Sequence, residues 1–104
     1  MLKVLINAYA CCPNMGSEPG MAWNWCLHLA KHCELFIITE SEFREKIENA
    51  LDAIPYCKNM RFYFNTIGGT DEKARKIRKR CWNQGDWRFY FDYAKWQQST
   101  LEMA

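Results

Sequence analysis

Three short apolar runs, Leu2–Ala8, Leu35–Thr39 and Met60–Asn65, alternate with stretches of helical periodicity, and this alternation constrains the fold more than any other feature. Leu2–Ala8 is broken only by Lys3 and Asn7, and a turn-rich segment follows it. Such a run suits a buried strand of a parallel sheet. Ala22, Cys26, Leu29, Ala30 and Cys33 then recur at three- and four-residue intervals, which predicts a helix over about 20–33. Phe43, Ile47, Ala50, Leu51 and Ile54 line one face of a second predicted helix over about 42–54. Thr39 with Glu42 fits a capping box for that helix, Glu40 suits its positive end, and Pro55 stops it. Strand, helix, strand, helix, strand in that order implies right-handed crossovers on a parallel sheet. The predicted fold class is therefore α/β: a partial Rossmann-like, three-layer domain, a short parallel sheet with flanking helices and Val4, Leu5 and Ile6 in its central strand.

The last third departs from the alternation. After Gly68-Gly69, Thr70 can cap a helix reaching about Trp82, and Asn83-Gln84-Gly85 breaks it. Asp86 can cap another, with Trp87, Tyr90, Phe91, Ala94 and Leu101 as its apolar stripe. Two helices without a strand between them leave the sheet at three strands, fewer than a parallel α/β sheet usually has. The 104 residues are thus expected to form one domain that is the opening part of a larger fold. With 49% hydrophobic and 15% aromatic residues the chain can build a core, which argues against disorder. A formal net charge of +2 does not by itself call for a polyanionic partner. No apolar run is long enough to cross a bilayer, and Met1–Asn7 lacks a signal peptide's apolar stretch, so a cytoplasmic location is expected. Cysteines at 11, 12, 26, 33, 57 and 81 form no C-x-x-C pair. They read as reduced structural thiols, with Cys26 and Cys33 on one face of the first helix; a disulfide framework or a zinc site is the alternative.

The segment 13–20, Pro-Asn-Met-Gly-Ser-Glu-Pro-Gly, follows the first strand and opens the first helix. Open α/β sheets bind ligands at the carboxyl ends of their strands, and helix-start N–H groups favour an anion. The segment is neither G-x-G-x-x-G nor a Walker loop, and a tight turn with two glycines reads equally well.

Leu2–Trp25, through Asn7-Ala8-Tyr9-Ala10-Cys11, Gly16-Ser17-Glu18-Pro19-Gly20 and Trp23-Asn24-Trp25, resembles the N-terminus of bacterial group 1 glycosyltransferases. The likeness extends through Trp82-Asn83-Gln84-Gly85-Asp86-Trp87-Arg88 and so spans the chain. It implies retaining enzymes with two Rossmann-like domains facing across a cleft, the GT-B architecture. Residues 1–104 would be the N-terminal portion of the acceptor-side domain, with the C-terminal donor-binding domain absent. The resemblance implies a donor-diphosphate loop at Gly16, Ser17, Glu18 and Gly20, although Gly-Ser stands where the family more commonly has Gly-Gly. The family's paired-glutamate donor motif lies in the second domain, and its later histidine has no counterpart here, so no catalytic residue is named. Sugar transfer from a nucleotide-sugar donor to a glycan or lipid-linked acceptor would then need the missing domain, and no cofactor is implied.

His28 and His32 stand four apart, on the helix face of Met21 and Trp25, but two ligands do not close a metal site and none is expected. Lys73, Arg75, Lys76, Arg78, Lys79 and Arg80 place six basic residues in eight positions. A solvated helix face with Ala74, Ile77 and Cys81 packed inward is the plain reading. The functional one is contact with an acceptor or with the inner membrane face as a peripheral protein. The rival to the enzyme fragment is a small non-enzymatic module binding RNA or anionic membrane through the basic–aromatic segment 73–96, nucleic acid being the less favoured target. Trp82–Trp96 also offers aromatic faces to a sugar, although at helical spacing aromatics are more often core. Self-association is expected from an open sheet edge.

Overall fold

The computed structural model describes residues 1–67 and 88–104. The elements in order are β1 (Leu2–Asn7), α1 (Ser17–Leu29), β2 (Cys33–Glu40), α2 (Arg44–Leu51), β3 (Met60–Asn65) and α3 (Arg88–Met103). Short 3₁₀ turns at Ser41–Phe43 and Cys57–Asn59 precede α2 and β3. The predicted helix over 70–82, the basic run 73–80, Cys81, the break at 83–85, the Asp86 cap and Trp87 lie outside the described residues. Two compact units divide the chain, Met1–Phe64 and Asn65–Ala104.

In the first unit the three strands form the expected parallel sheet, but in the order β1-β2-β3. The central strand is therefore β2, not the Val4–Ile6 run. Leu2–Asn7 pairs in register with Cys33–Ile38, Val4 opposite Leu35 and Ile6 opposite Ile37. Both crossovers step the same way across the sheet, so their common handedness puts both helices on one face. Val4 and Ile6, Leu35 and Ile37, and Met60, Phe62 and Phe64 meet Trp23 and Cys26 of α1, Ala30 just beyond it and Ile47 of α2 in a single core. Within this unit the layers are two rather than three, because no helix of Met1–Phe64 covers the other face. There Leu5 and Tyr63 are exposed, and Arg61 lies over the Phe36 ring, 5.4 Å from its centroid, while pairing with Glu34 at 3.4 Å.

Local chemistry moves the predicted ends. The helix α1 stops at Leu29, and Asn59 Nδ2 donates to the Ala30 carbonyl at 2.8 Å, satisfying an acceptor left over by the helix end. Cys33 opens β2 instead of extending α1, so it shares no helix face with Cys26. The capping box is replaced as well. Thr39 turns its hydroxyl to the Tyr9 carbonyl at 3.1 Å, and the Glu40 side chain accepts the Glu42 N–H at 2.6 Å. One residue further along the chain, an acidic side chain thus caps the 3₁₀ turn leading to α2. That helix ends at Leu51, four residues before Pro55.

In the second unit, α3 buries a different face from the predicted one. Phe91, Ala94 and Leu101 are exposed, while Asp92, Trp96 and Thr100 are buried at four-residue steps. The side chain of Asn65 meets that inward face. Its Nδ2 donates to the Trp96 carbonyl, Ser99 Oγ and Thr100 Oγ1 at 3.3, 2.8 and 3.1 Å, and Trp96 Nε1 donates back to the Asn65 carbonyl at 2.6 Å. The inward side thus joins the apolar Trp96 ring to a polar ladder.

Candidate functional site

Leaving β1, the chain stays beside β2: Ala8 N–H donates to Ile38 O at 2.9 Å, and Tyr9 O accepts Glu40 N–H at 3.0 Å. Cys11 and Cys12 then enter the core with no exposed surface. Cys12 N–H donates to Pro19 O at 2.9 Å and closes the segment into a loop at the carboxyl end of the sheet. This is where α/β sheets hold ligands.

The loop turns at residues other than its glycines. Asn14 and Ser17 take left-handed backbone, φ 59° and 55°, whereas Gly16 has φ −82° and ψ −176°. Gly16 precedes α1 with no side-chain cap, and an added Cβ there would meet nothing within 4 Å. Gly16, Ser17 and Glu18 are exposed at the start of α1, where uncapped N–H groups and the macrodipole favour an anion. Glu18 already supplies negative charge to that first turn. Gly20 is buried instead, and a Cβ on it would overlap the Met15 carbonyl oxygen. It permits close passage of the loop over the helix, so the four resemblance-derived residues divide into three at the rim and one beneath it.

The described cysteines 11, 12, 26, 33 and 57 carry free thiols. Cys11 shares a hydrogen bond with Cys26, and this together with burial pushes its thiol far above the ordinary range. Cys12 is raised by burial, with the Lys46 ammonium pulling the other way and the Glu42 carboxylate adding to the rise. Cys26 is shifted the other way, downward, by the hydrogen bond from Cys11, and burial opposes that shift. Cys11 and Cys12, protonated in a closed core, are packing groups rather than nucleophiles.

Across the loop, the ends of β2 and α2 contribute charge. Glu40 is buried, accepting from Glu42 N–H and from Ser41 Oγ at 3.4 Å. Partial desolvation and then the Glu40 carboxylate raise the pKa of Glu42. A shallow cleft of about 340 Å³ lies between loop and helix, lined by Pro13, Asn14, Lys46, Asn49 and Ala50. Lys46, Asn49 and Ala50 are three and four residues apart on α2, hence one ridge. Sequence reasoning missed Asn14, Lys46 and Asn49. The available signal was a polar i, i+3 pair facing the carboxyl end of β1, which looks like an ordinary solvated helix face.

His28 lies in α1 and His32 in the turn beyond it, its N–H donating to Leu29 O at 2.9 Å, so the two do not share a helix. Among the described residues no three His, Cys, Asp or Glu side chains converge in a way that could hold a metal ion. The proposed acceptor or membrane residues Lys73, Arg75, Lys76, Arg78, Lys79 and Arg80 lie outside the described residues, and no described helix is long and apolar enough to cross a membrane. Of the aromatics weighed for sugar stacking, Trp96 is buried and hydrogen-bonded. Comparison with protein-family models, with curated proteins and with solved structures finds no match for the chain.

Proposed function

We propose that the chain is the acceptor-side lobe of a retaining glycosyltransferase, working with a second lobe that holds most of a nucleotide-sugar donor. The single observation carrying this reading is the position of Gly16-Ser17-Glu18: an exposed rim at the carboxyl end of β1, opening α1 with uncapped amides, inside the segment whose sequence resembles such enzymes. In this reading the rim faces the donor's diphosphate, and backbone donors aimed at the leaving group stabilise its developing charge. Catalysis needs a water-poor cleft closed between lobes, so residues 1–104 alone transfer no sugar. Cytoplasmic work, with a lipid-linked acceptor met at the inner membrane face, belongs to the same proposal.

The test is a titration of uridine and guanosine diphosphate sugars into residues 1–104, followed by amide NMR. Weak binding, with shifts centred on Gly16, Ser17 and Glu18, is expected. Absence of any shift there at the highest soluble donor concentration refutes the rim assignment. Micromolar affinity by calorimetry refutes the division of labour between lobes. Gly16→Val sharpens the result. Its backbone is ordinary extended geometry and its surroundings are open, so the variant should melt with the wild type while losing the shifts. Unfolding in step with lost binding would return Gly16 to a turn residue.

A further inference from the structure

The cleft between loop and α2 is not absorbed by the donor rim, and its chemistry is specific. Three of its lining residues carry polar side chains, Lys46, Asn14 and Asn49. Pro13 and Ala50 supply the apolar part of the lining. Among the described residues, Arg44 is paired with Glu48 at 3.0 Å and Arg61 with Glu34, whereas no ion pair within 4.0 Å occupies Lys46. Its charge reaches the buried Cys12 thiol, so the ammonium is close to the loop that forms the other wall. Its two walls are the loop and the α2 ridge. Asn14 is fixed in left-handed backbone within a loop closed by the Cys12–Pro19 bond, and Ala50 takes little space on the α2 ridge.

We infer that this cleft binds an anionic sugar, its phosphate or carboxylate on Lys46 and its hydroxyls on Asn14 and Asn49. A cation alone selects an anion of any shape. Two primary amides, each able to donate and accept, suit the paired donor–acceptor character of ring hydroxyls. The C–H face of a sugar matches the Pro13–Ala50 surface. The volume lies at the low end of the range for small-molecule sites, which fits one ring rather than an extended chain. The proposal rests on the glycosyltransferase reading in one respect, since it makes this ligand the acceptor end. It differs from the donor rim in its residues and in its probe.

The experiment is amide NMR titration of residues 1–104 with glucose 6-phosphate, glucuronate, glucose and inorganic phosphate in parallel. At least one of the two anionic sugars should shift Asn14, Lys46 and Asn49 with a dissociation constant of about 1–10 mM. Which of them binds more tightly separates a phosphate from a carboxylate as the anionic group. Glucose, lacking the charge-assisted hydrogen bond, and inorganic phosphate, lacking the hydroxyl–amide bonds, should each bind about tenfold more weakly. Lys46→Gln should remove the preference for anionic sugars, and Asn49→Ala the preference over inorganic phosphate. Both sites are exposed, so both variants should fold, and a urea melt verifies that. Raising salt to about 1 M, where the Debye length falls to about 3 Å, should weaken binding of the anionic sugars but not of glucose. Equal shifts with glucose, equal shifts with inorganic phosphate, or no shifts at these residues each overturn the proposal. Binding here without any response to nucleotide sugars leaves this site standing and refutes the rim assignment that carries the glycosyltransferase reading. A donor response at Gly16–Glu18 with an inert cleft does the reverse.

Discussion

Ser17 is where the conformation and the residue type disagree. Its φ of 55° belongs to the left-handed region, which costs a non-glycine residue about 1–2 kcal/mol. Ser17→Gly should therefore stabilise the first unit by about 1 kcal/mol, read as a higher urea midpoint with unchanged slope. Gly20 is the opposite case. Its missing Cβ is required by the Met15 carbonyl, so Gly20→Ala must displace backbone and should destabilise by about 3 kcal/mol. A Gly20→Ala protein as stable as the wild type would mean that the loop moves away from the helix at little cost. The loop was legible in the sequence as a turn at the carboxyl end of a strand. Which of its residues turns the backbone was not, because the two glycines are the stronger signal for positive φ and Ser17 reaches it against its own preference. Glu42 offers a pH test at the same rim. Its folded pKa is raised above the unfolded value near 4.5, so its contribution to stability is fully present below that pH. That contribution is lost as pH rises through the folded pKa, where the unfolded chain gives up the proton more readily. Glu42→Gln should flatten this decline and stabilise the protein at neutral pH. The backbone bond from residue 42 to Glu40 is retained in the variant. An identical pH profile in the two proteins would show that the shift has no thermodynamic weight.

At the scale of elements, α3 depends on polar contacts that a hydrophobic pattern does not reveal. Asn65 Nδ2 faces three acceptors of α3, and Ser99 and Thr100 also bond back to the Trp96 carbonyl at 2.8 and 2.9 Å. Asn65→Ala should leave buried acceptors unsatisfied and cost about 2–3 kcal/mol, whereas Trp96→Phe removes one donor and should cost about 1–2 kcal/mol. Because the two groups belong to one network, the double variant should lose less than the sum, which a double-mutant cycle measures. Strict additivity would mean that the ladder is a set of independent bonds. The contrast with β3 explains what the sequence made legible. Met60–Asn65 was bounded correctly because an apolar run carries its own signal. The α3 stripe differs from the predicted one because Phe91 and Leu101 look like core by composition, while the buried side carries Asp92 and Thr100, which do not. The same logic covers the cap before α2: Thr39 and Glu40 both suit the role, and the Tyr9 carbonyl takes the threonine out of the competition.

At the scale of the whole molecule, strand order determines which surfaces remain to be covered. The sequence of elements gave α/β, but period and length are the same for a central and an edge strand, so the β1-β2-β3 order was not visible. An apolar strand at the end of a sheet exposes both a row of backbone groups and the side chains meant for a neighbour. Among the described residues β1 ends the sheet, and Leu2 and Leu5 are 69% and 54% exposed. Two copies can pair these edges antiparallel about a two-fold axis, continuing one sheet into the other and covering Leu5 in each. Self-association that grows with concentration is therefore expected in light scattering. Leu5→Lys should abolish it, since the pairing would then set extra like charges beside Lys3 on both strands. Leu5 lies on the face away from the helix-side core, so the substitution should leave the melting temperature of the dilute protein nearly unchanged. Persistence of the assembly in Leu5→Lys would locate the contact elsewhere, and a monomer at every concentration in the wild type would show that the β1 edge is protected without a second copy.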